Sequence, residues 1–137
     1  MKIAVIGLGK LGSVIAAVYA AAGHEVVGVD INTTNVEAIN RGEAPVSEPG
    51  LQELMDSCGS RLSATTDMSH ALRGAEASYL IVPTPSKHEG VFTNEYVIRA
   101  LRDIGAYLKS ASDRHTVVLC STVMPGSCAG ELTDELE

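Results

Sequence analysis

The sequence predicts an α/β fold, a doubly wound parallel sheet of about five strands. Strand-like and helix-like segments alternate at the spacing of βαβ units. The chain opens on Lys2 to Ile6, KIAVI, a β-branched apolar run suited to a central strand buried on both faces. Helical patterns fill the intervals between strands, and right-handed crossovers then give the order 3-2-1-4-5.

Each element has its own signal. Lys10 to Ala22 is Ala-rich, with Leu11, Val14, Ile15 and Val18 at helical spacing, and Gly23 follows as a helix stop. Glu25 to Val29 is the second strand. Thr34 and Glu37 read as a capping box for a helix that buries Val36 and Ile39. Arg41 to Gly50 carries two glycines and two prolines and reads as a loop. Leu51 to Cys58 makes a short helix, with Pro49 tolerated at its start. Arg61 to Ala64 is a weak third strand, and Asp67 to Arg73 a brief helix ended by Gly74. Tyr79 to Val82 is the fourth strand, stopped by Pro83 and Pro85. Val97, Leu101, Ile104 and Leu108 mark one face of an amphipathic helix. Thr116 to Cys120 is the fifth strand, and Gly126 to Leu136 a last helix.

Composition excludes several classes. The 137 residues make one domain, large enough for a core without disulfides. At 45% apolar and 20% charged, the chain is not of a disordered type. A net charge of −7 repels phosphate backbones and argues against nucleic-acid binding. The longest apolar run, Val14 to Ala22, has nine residues, whereas a bilayer span needs roughly 20. Cys58, Cys120 and Cys128 cannot all pair with one another and fit no zinc spacing, so they are expected as free thiols in a reducing cytoplasm. Cys120 is expected in the core of its strand. His24, His70, His88 and His115 fall at element ends or in loops, read as surface residues and form no metal pair. Lys87 to Glu89 reads as a solvated loop.

The chemistry begins at Gly7-Leu8-Gly9-Lys10-Leu11-Gly12, a G-x-G-x-x-G motif between the first strand and the first helix. Gly7 permits the tight turn, Gly9 lets a pyrophosphate approach the backbone, and Gly12 lets helix and strand pack closely. Lys10 and Leu11 fill the variable positions of the same loop. The helix N-terminus presents free N–H groups and a positive dipole end. Asp30 lies 18 residues past Gly12, at the end of the second strand. An acid there accepts hydrogen bonds from ribose hydroxyls and repels a 2′-phosphate. Ile31 and Asn32 follow, with no Arg to hold that phosphate, so NAD is favoured over NADP. The expectation is a Rossmann-type NAD-binding domain.

Three further segments carry a resemblance to a family. Asn40 to Leu51 reads NRGEAPVSEPGL, Val82 to Pro85 reads VPTP, and Ser121 to Gly126 reads STVMPG. In this order they are similar to segments of the UDP-glucose/GDP-mannose 6-dehydrogenases, the nucleotide-sugar dehydrogenases. The resemblance implies two successive NAD-dependent oxidations of a sugar C6 alcohol to a carboxylate, through a Cys-bound thiohemiacetal and thioester. It places the turns at Pro83–Thr84 and Ser121–Thr122 against the cofactor, and gives Thr122 a second, catalytic role in positioning a water. It also implies that the family's central helix, substrate domain and nucleophilic Cys lie beyond this chain. Residues 1–137 are thus expected to be the NAD-binding domain, inactive alone, of a homodimeric parent that takes a sugar nucleotide; the fragment itself is expected as a monomer. Departures from the family pattern are Asn35 where Lys or Arg is usual, Ile81 for Cys, and Cys120 for Lys. Two other readings share the glycines and Asp30: a β-hydroxyacid-type NAD-dependent dehydrogenase domain, and a non-enzymatic NAD(H)-sensing module.

Overall fold

A computed structural model describes residues 1–86, 92–111 and 114–137. The strands are β1 (Lys2–Ile6), β2 (Glu25–Val29), β3 (Leu62–Thr65), β4 (Ala77–Leu80) and β5 (Thr116–Leu119). They pair in parallel in the order β3-β2-β1-β4-β5, as expected. The helices are α1 (Lys10–Ala21), α2 (Thr33–Asn40), α3 (Leu51–Asp56), α4 (Met68–Leu72), α5 (Glu95–Leu108) and α6 (Glu131–Leu136).

The period-2 alternation of β1 divides the core into two layers. Ile3 and Val5 face Ala16, Ala17 and Ala20 of α1, with α2 and α3 completing that side. Ala4 and Ile6 face the other way, onto Leu72 of α4, Val97, Leu101 and Ile104 of α5, and Leu132 of α6. Three alanines on the buried face of α1 bring that helix close to the sheet and set its N-terminus at the carboxyl end of β1.

Several expectations are corrected. The cap of α2 is Asn32, whose side chain accepts the Thr34 N–H at 3.0 Å. Thr34 thus lies inside the first turn and is no cap. The β4 strand begins two residues earlier than the sequence suggests, because Ala77 and Ser78 are fully engaged with β1. Gly126 to Leu136 is not one helix. Gly126 is left-handed, a 3-10 turn covers Ser127–Ala129, and Gly130 adopts a non-helical conformation before α6 starts. Cys120 is exposed rather than in the core. It lies just past β5, an edge strand only half buried along its length.

His115 is not a surface residue either. It is half-buried, with Nδ1 2.8 Å from the Ala75 carbonyl oxygen and Nε2 3.0 Å from the buried Ser78 Oγ. His24 is half-buried edge-on to the Tyr19 ring, while His70 is exposed as expected. His88 and its loop, Lys87 to Glu89, lie outside the described residues. Among the described residues no helix is long and apolar enough to cross a membrane, and no group of three metal-ligating side chains forms.

Candidate functional site

The site is built at the carboxyl edge of the sheet, from the loop between β1 and α1. Gly7 has φ +96°, and a Cβ there would lie 2.4 Å from the Ile81 carbonyl oxygen. A Cβ on Gly12 would lie 1.8 Å from the Gly7 oxygen. These two glycines are demanded by the fold. Gly9 is different, because a Cβ there would meet nothing within 4 Å. Its missing side chain leaves open surface beside the first turn of α1. That turn has no side-chain cap and no acidic residue, so its N–H groups are available to an anion. This is the cradle a dinucleotide pyrophosphate requires, and the residues fit it.

Leu8 anchors the loop. It is fully buried, in space that Gly28 of β2 leaves free: a Cβ on Gly28 would lie 2.6 Å from Leu8 Cδ2. Ser13 Oγ donates to the Leu8 oxygen at 2.8 Å, and the Leu8 N–H donates to Asp30 Oδ2 at 2.8 Å. Asp30 Oδ1 accepts from the Asn32 N–H, also at 2.8 Å. Asn35 Nδ2 lies 3.4 Å from both Asp30 Oδ2 and the Leu8 oxygen. The Asp30 carboxylate is therefore fixed in place, with lone pairs remaining for ribose hydroxyls. No cation among the described residues pairs with it. Ile31, 90% exposed, stands beside it as an apolar surface. Sequence reasoning missed Gly28 and Ser13. A glycine inside a strand pattern is the signal of such a close approach; Ser13 had none.

The proline loop returns to this same edge. Ala44 and Val46 pack on the core, and Gln52 holds the loop by accepting the Ala44 N–H at 2.9 Å and donating to the Gly42 oxygen at 2.8 Å. Glu48 Oε1 then stands 3.4 Å from Lys10 Nζ, the first residue of α1. Asn40 serves the fold: its carboxamide donates to the Ala64 oxygen at 2.9 Å and accepts the Ala64 N–H at 2.8 Å, covering the free edge of β3.

The other two turns meet at the ends of β4 and β5. The Ile81 N–H donates to the Ile6 oxygen at 2.8 Å, and Pro83 and Pro85 have no N–H to carry the ladder further. Ser121 Oγ replaces that link by donating to the Val82 oxygen at 2.7 Å. Thr84 is half-buried and Thr122 exposed. Neither caps a neighbouring helix, since Asn94, Gly126 and Gly130 hold those places. A cleft of about 820 Å³ lies apart from the glycine loop, between α5 and α6, and is lined among others by Asn94, Arg99, Arg102 and Glu131. It contains neither Asp30 nor the glycines.

A three-glycine loop opening a helix, with an acid fixed at the end of the next strand, defines a dinucleotide-binding domain of the Rossmann type. Comparisons place it more closely. A model of the UDP-glucose/GDP-mannose dehydrogenase family, NAD binding domain, matches residues 1–136. GDP-mannose 6-dehydrogenase of Pseudomonas syringae pv. syringae is 44% identical across the whole chain, and UDP-glucose 6-dehydrogenase of Haloferax volcanii 39%. Among solved structures, a ternary complex of GDP-mannose dehydrogenase from Pseudomonas aeruginosa is 40% identical with a TM-score of 0.95 over the whole chain. A UDP-glucose dehydrogenase from Pyrobaculum islandicum is 34% identical with a TM-score of 0.91 over 98% of the chain. The chain belongs to the UDP-glucose/GDP-mannose dehydrogenase family and is its NAD-binding domain. It spans 32% of the length of each of these four proteins.

Proposed function

We propose that the chain holds NAD within a nucleotide-sugar 6-dehydrogenase that oxidises a sugar C6 alcohol to a carboxylate in two steps. The observation that carries its NAD-binding part is the fixed Asp30 carboxylate, which pairs with no cation among the described residues, on the same sheet edge as the open Gly9 surface. The names of the relatives, GDP-mannose and UDP-glucose 6-dehydrogenases, support the reaction class.

Asp30 accepts from the adenosine ribose and, by its charge, excludes a 2′-phosphate. Gly9 and the first turn of α1, with Gly7, Lys10, Leu11 and Gly12 around them, receive the pyrophosphate. Asn35 steadies Asp30 as a neutral donor. The β4–β5 half of the sheet takes the second nucleotide half. There the Pro83–Thr84 and Ser121–Thr122 turns bound the nicotinamide end, and Thr122 presents a hydroxyl for a water at the reacting carbon. NAD supplies the hydride acceptor.

Residues 1–137 form the cofactor domain of this enzyme. The reading assigns the sugar nucleotide site, the nucleophilic cysteine and the dimer contacts to the rest of that enzyme. Exposed free thiols at Cys120 and Cys128 suit a reducing cytoplasm.

Fluorescence titration of this chain with NADH and NADPH tests the proposal. NADH binds at least tenfold tighter. Tighter NADPH binding refutes the role given to Asp30. The chain alone produces no NADH from NAD with UDP-glucose or GDP-mannose, and measurable turnover refutes the division of labour.

A further inference from the structure

The proline loop sets a carboxylate against the first residue of α1: Glu48 Oε1 lies 3.4 Å from Lys10 Nζ. The pair occupies the cation that opens the helix whose positive N-terminal end receives the pyrophosphate in the NAD-binding reading. The two partners are unequally held. The Lys10 side chain is 80% exposed and the Glu48 side chain 29%. The Glu48 segment is fixed through Gln52, through Val46 in the core, and through the Leu51 N–H, which donates to the Glu48 oxygen at 3.2 Å. The carboxylate is therefore the stationary member, and the lysine is the one that can be turned toward another anion.

We propose that Glu48 is an affinity-setting residue of the dinucleotide site. By holding Lys10 it keeps the cradle close to electrically neutral and weakens the grip on the pyrophosphate. The inference rests on the NAD-binding reading. It gives the Glu48-Pro49-Gly50-Leu51 segment a task beyond turn chemistry: the turn at Gly50, with φ +76°, belongs to the segment that presents Glu48 to Lys10. Removing the charge frees Lys10 for the pyrophosphate, so loss of an ion pair strengthens binding. A purely structural Glu48 gives the opposite sign.

The test is a double-mutant cycle on this chain with Glu48→Gln, Lys10→Met and the pair, titrated with NADH, ADP-ribose and adenosine at low salt. Glu48→Gln tightens NADH and ADP-ribose roughly threefold, the scale of one exposed ion pair. It leaves adenosine, which has no phosphate, unchanged. Lys10→Met weakens both phosphate ligands more in the Glu48→Gln background than in the native one. The gains shrink as salt rises toward 0.5 M. Lys10 is exposed enough that Lys10→Met keeps the fold, so the cycle stays readable if Glu48→Gln loosens its loop. Weaker or unchanged ADP-ribose binding by Glu48→Gln overturns the proposal, as does an equal Lys10→Met effect in both backgrounds. A native chain that binds neither NADH nor ADP-ribose overturns instead the NAD-binding reading beneath it.

Discussion

Replacing Gly9 and Gly12 in turn by alanine separates the fold from the site. At Gly12 the new Cβ lies 1.8 Å from the Gly7 oxygen, a backbone atom with no side-chain freedom to escape. An ordinary contact needs well over 3 Å, so the start of α1 must move bodily, at about 1–3 kcal/mol or more. At roughly 4 °C per kcal/mol for a domain of this size, Gly12→Ala lowers the melting temperature by about 4–12 °C. At Gly9 the Cβ meets nothing within 4 Å, and φ is −72°, open to any residue. Alanine is a poorer N-cap than glycine but restricts the unfolded chain, so stability stays within about 1 kcal/mol. On the proposed reading the methyl instead stands where the pyrophosphate comes. Losing one charge-assisted hydrogen bond of about 1.5–3 kcal/mol weakens NADH binding about tenfold to a hundredfold. The assays are thermal unfolding and NADH titration on the same samples. Gly9→Ala that binds NADH within threefold of the native chain, or melts as early as Gly12→Ala, refutes the reasoning.

Asp30→Ala weakens NADH binding about tenfold and also removes the acceptor of the buried Leu8 N–H, lowering stability by about 1–3 kcal/mol in a denaturant titration. Burial pushes the Cys58 thiol above its ordinary range, against a smaller opposing effect of Arg61. A thiol-reactive disulfide reagent at mild pH thus labels Cys120 and Cys128 quickly and Cys58 only on unfolding; three fast thiols contradict the packing. Arg102 holds the Glu135 carboxyl below its ordinary value, chiefly by hydrogen bonding. The folded value is the lower one, so the pair's contribution is present at neutral pH and is lost as pH falls below about 4.5. Melting temperatures of the native chain and Glu135→Gln should therefore converge in acid and differ by a constant amount between pH 6 and 8. Gly105→Ala puts a Cβ 2.6 Å from the Leu136 oxygen, which loosens α6 from α5 and raises amide exchange in α6.

The sheet order was legible because β1 is apolar on both faces and each interval carries a helical pattern. The glycine loop and Asp30 were legible because their chemistry depends on spacing along the chain. What was not legible depends on contacts across it. Cys120 reads as a core residue in a TVVLC run, yet β5 is an edge strand whose exposure no local pattern records. His115 sits at a strand end in sequence, but Ala75 and Ser78 of the neighbouring strand region occupy both ring nitrogens. Thr34 and Glu37 have the spacing of a capping box, but Asp30 fixes the Asn32 N–H and so places the cap two residues earlier. The proline loop was recognisable as a motif without a contact, because its partner Lys10 lies 38 positions away.

The ties that fix the loop bear on how affinity is set. Leu8 is held by Gly28 packing, by Ser13, and by Asp30, which also secures Asn32. The cradle is thus ordered by folding itself, and little further ordering remains for ligand binding to impose. On the proposed reading, charge beside the cradle is what adjusts the grip on the dinucleotide, and two positions carry it. Asn35 stands at Asp30 as a neutral group, which would leave the adenosine end negative and closed to a 2′-phosphate. Glu48 stands at Lys10, offsetting the cation at the pyrophosphate end. Asn35→Lys, which puts back the cation usual at that place in the family, is therefore expected to tighten NADH binding roughly threefold, the scale of one exposed ion pair, while Glu48→Gln tightens it from the other position. Unchanged or weaker NADH binding by Asn35→Lys would mean that the charge at Asp30 does not set the grip on the adenosine end.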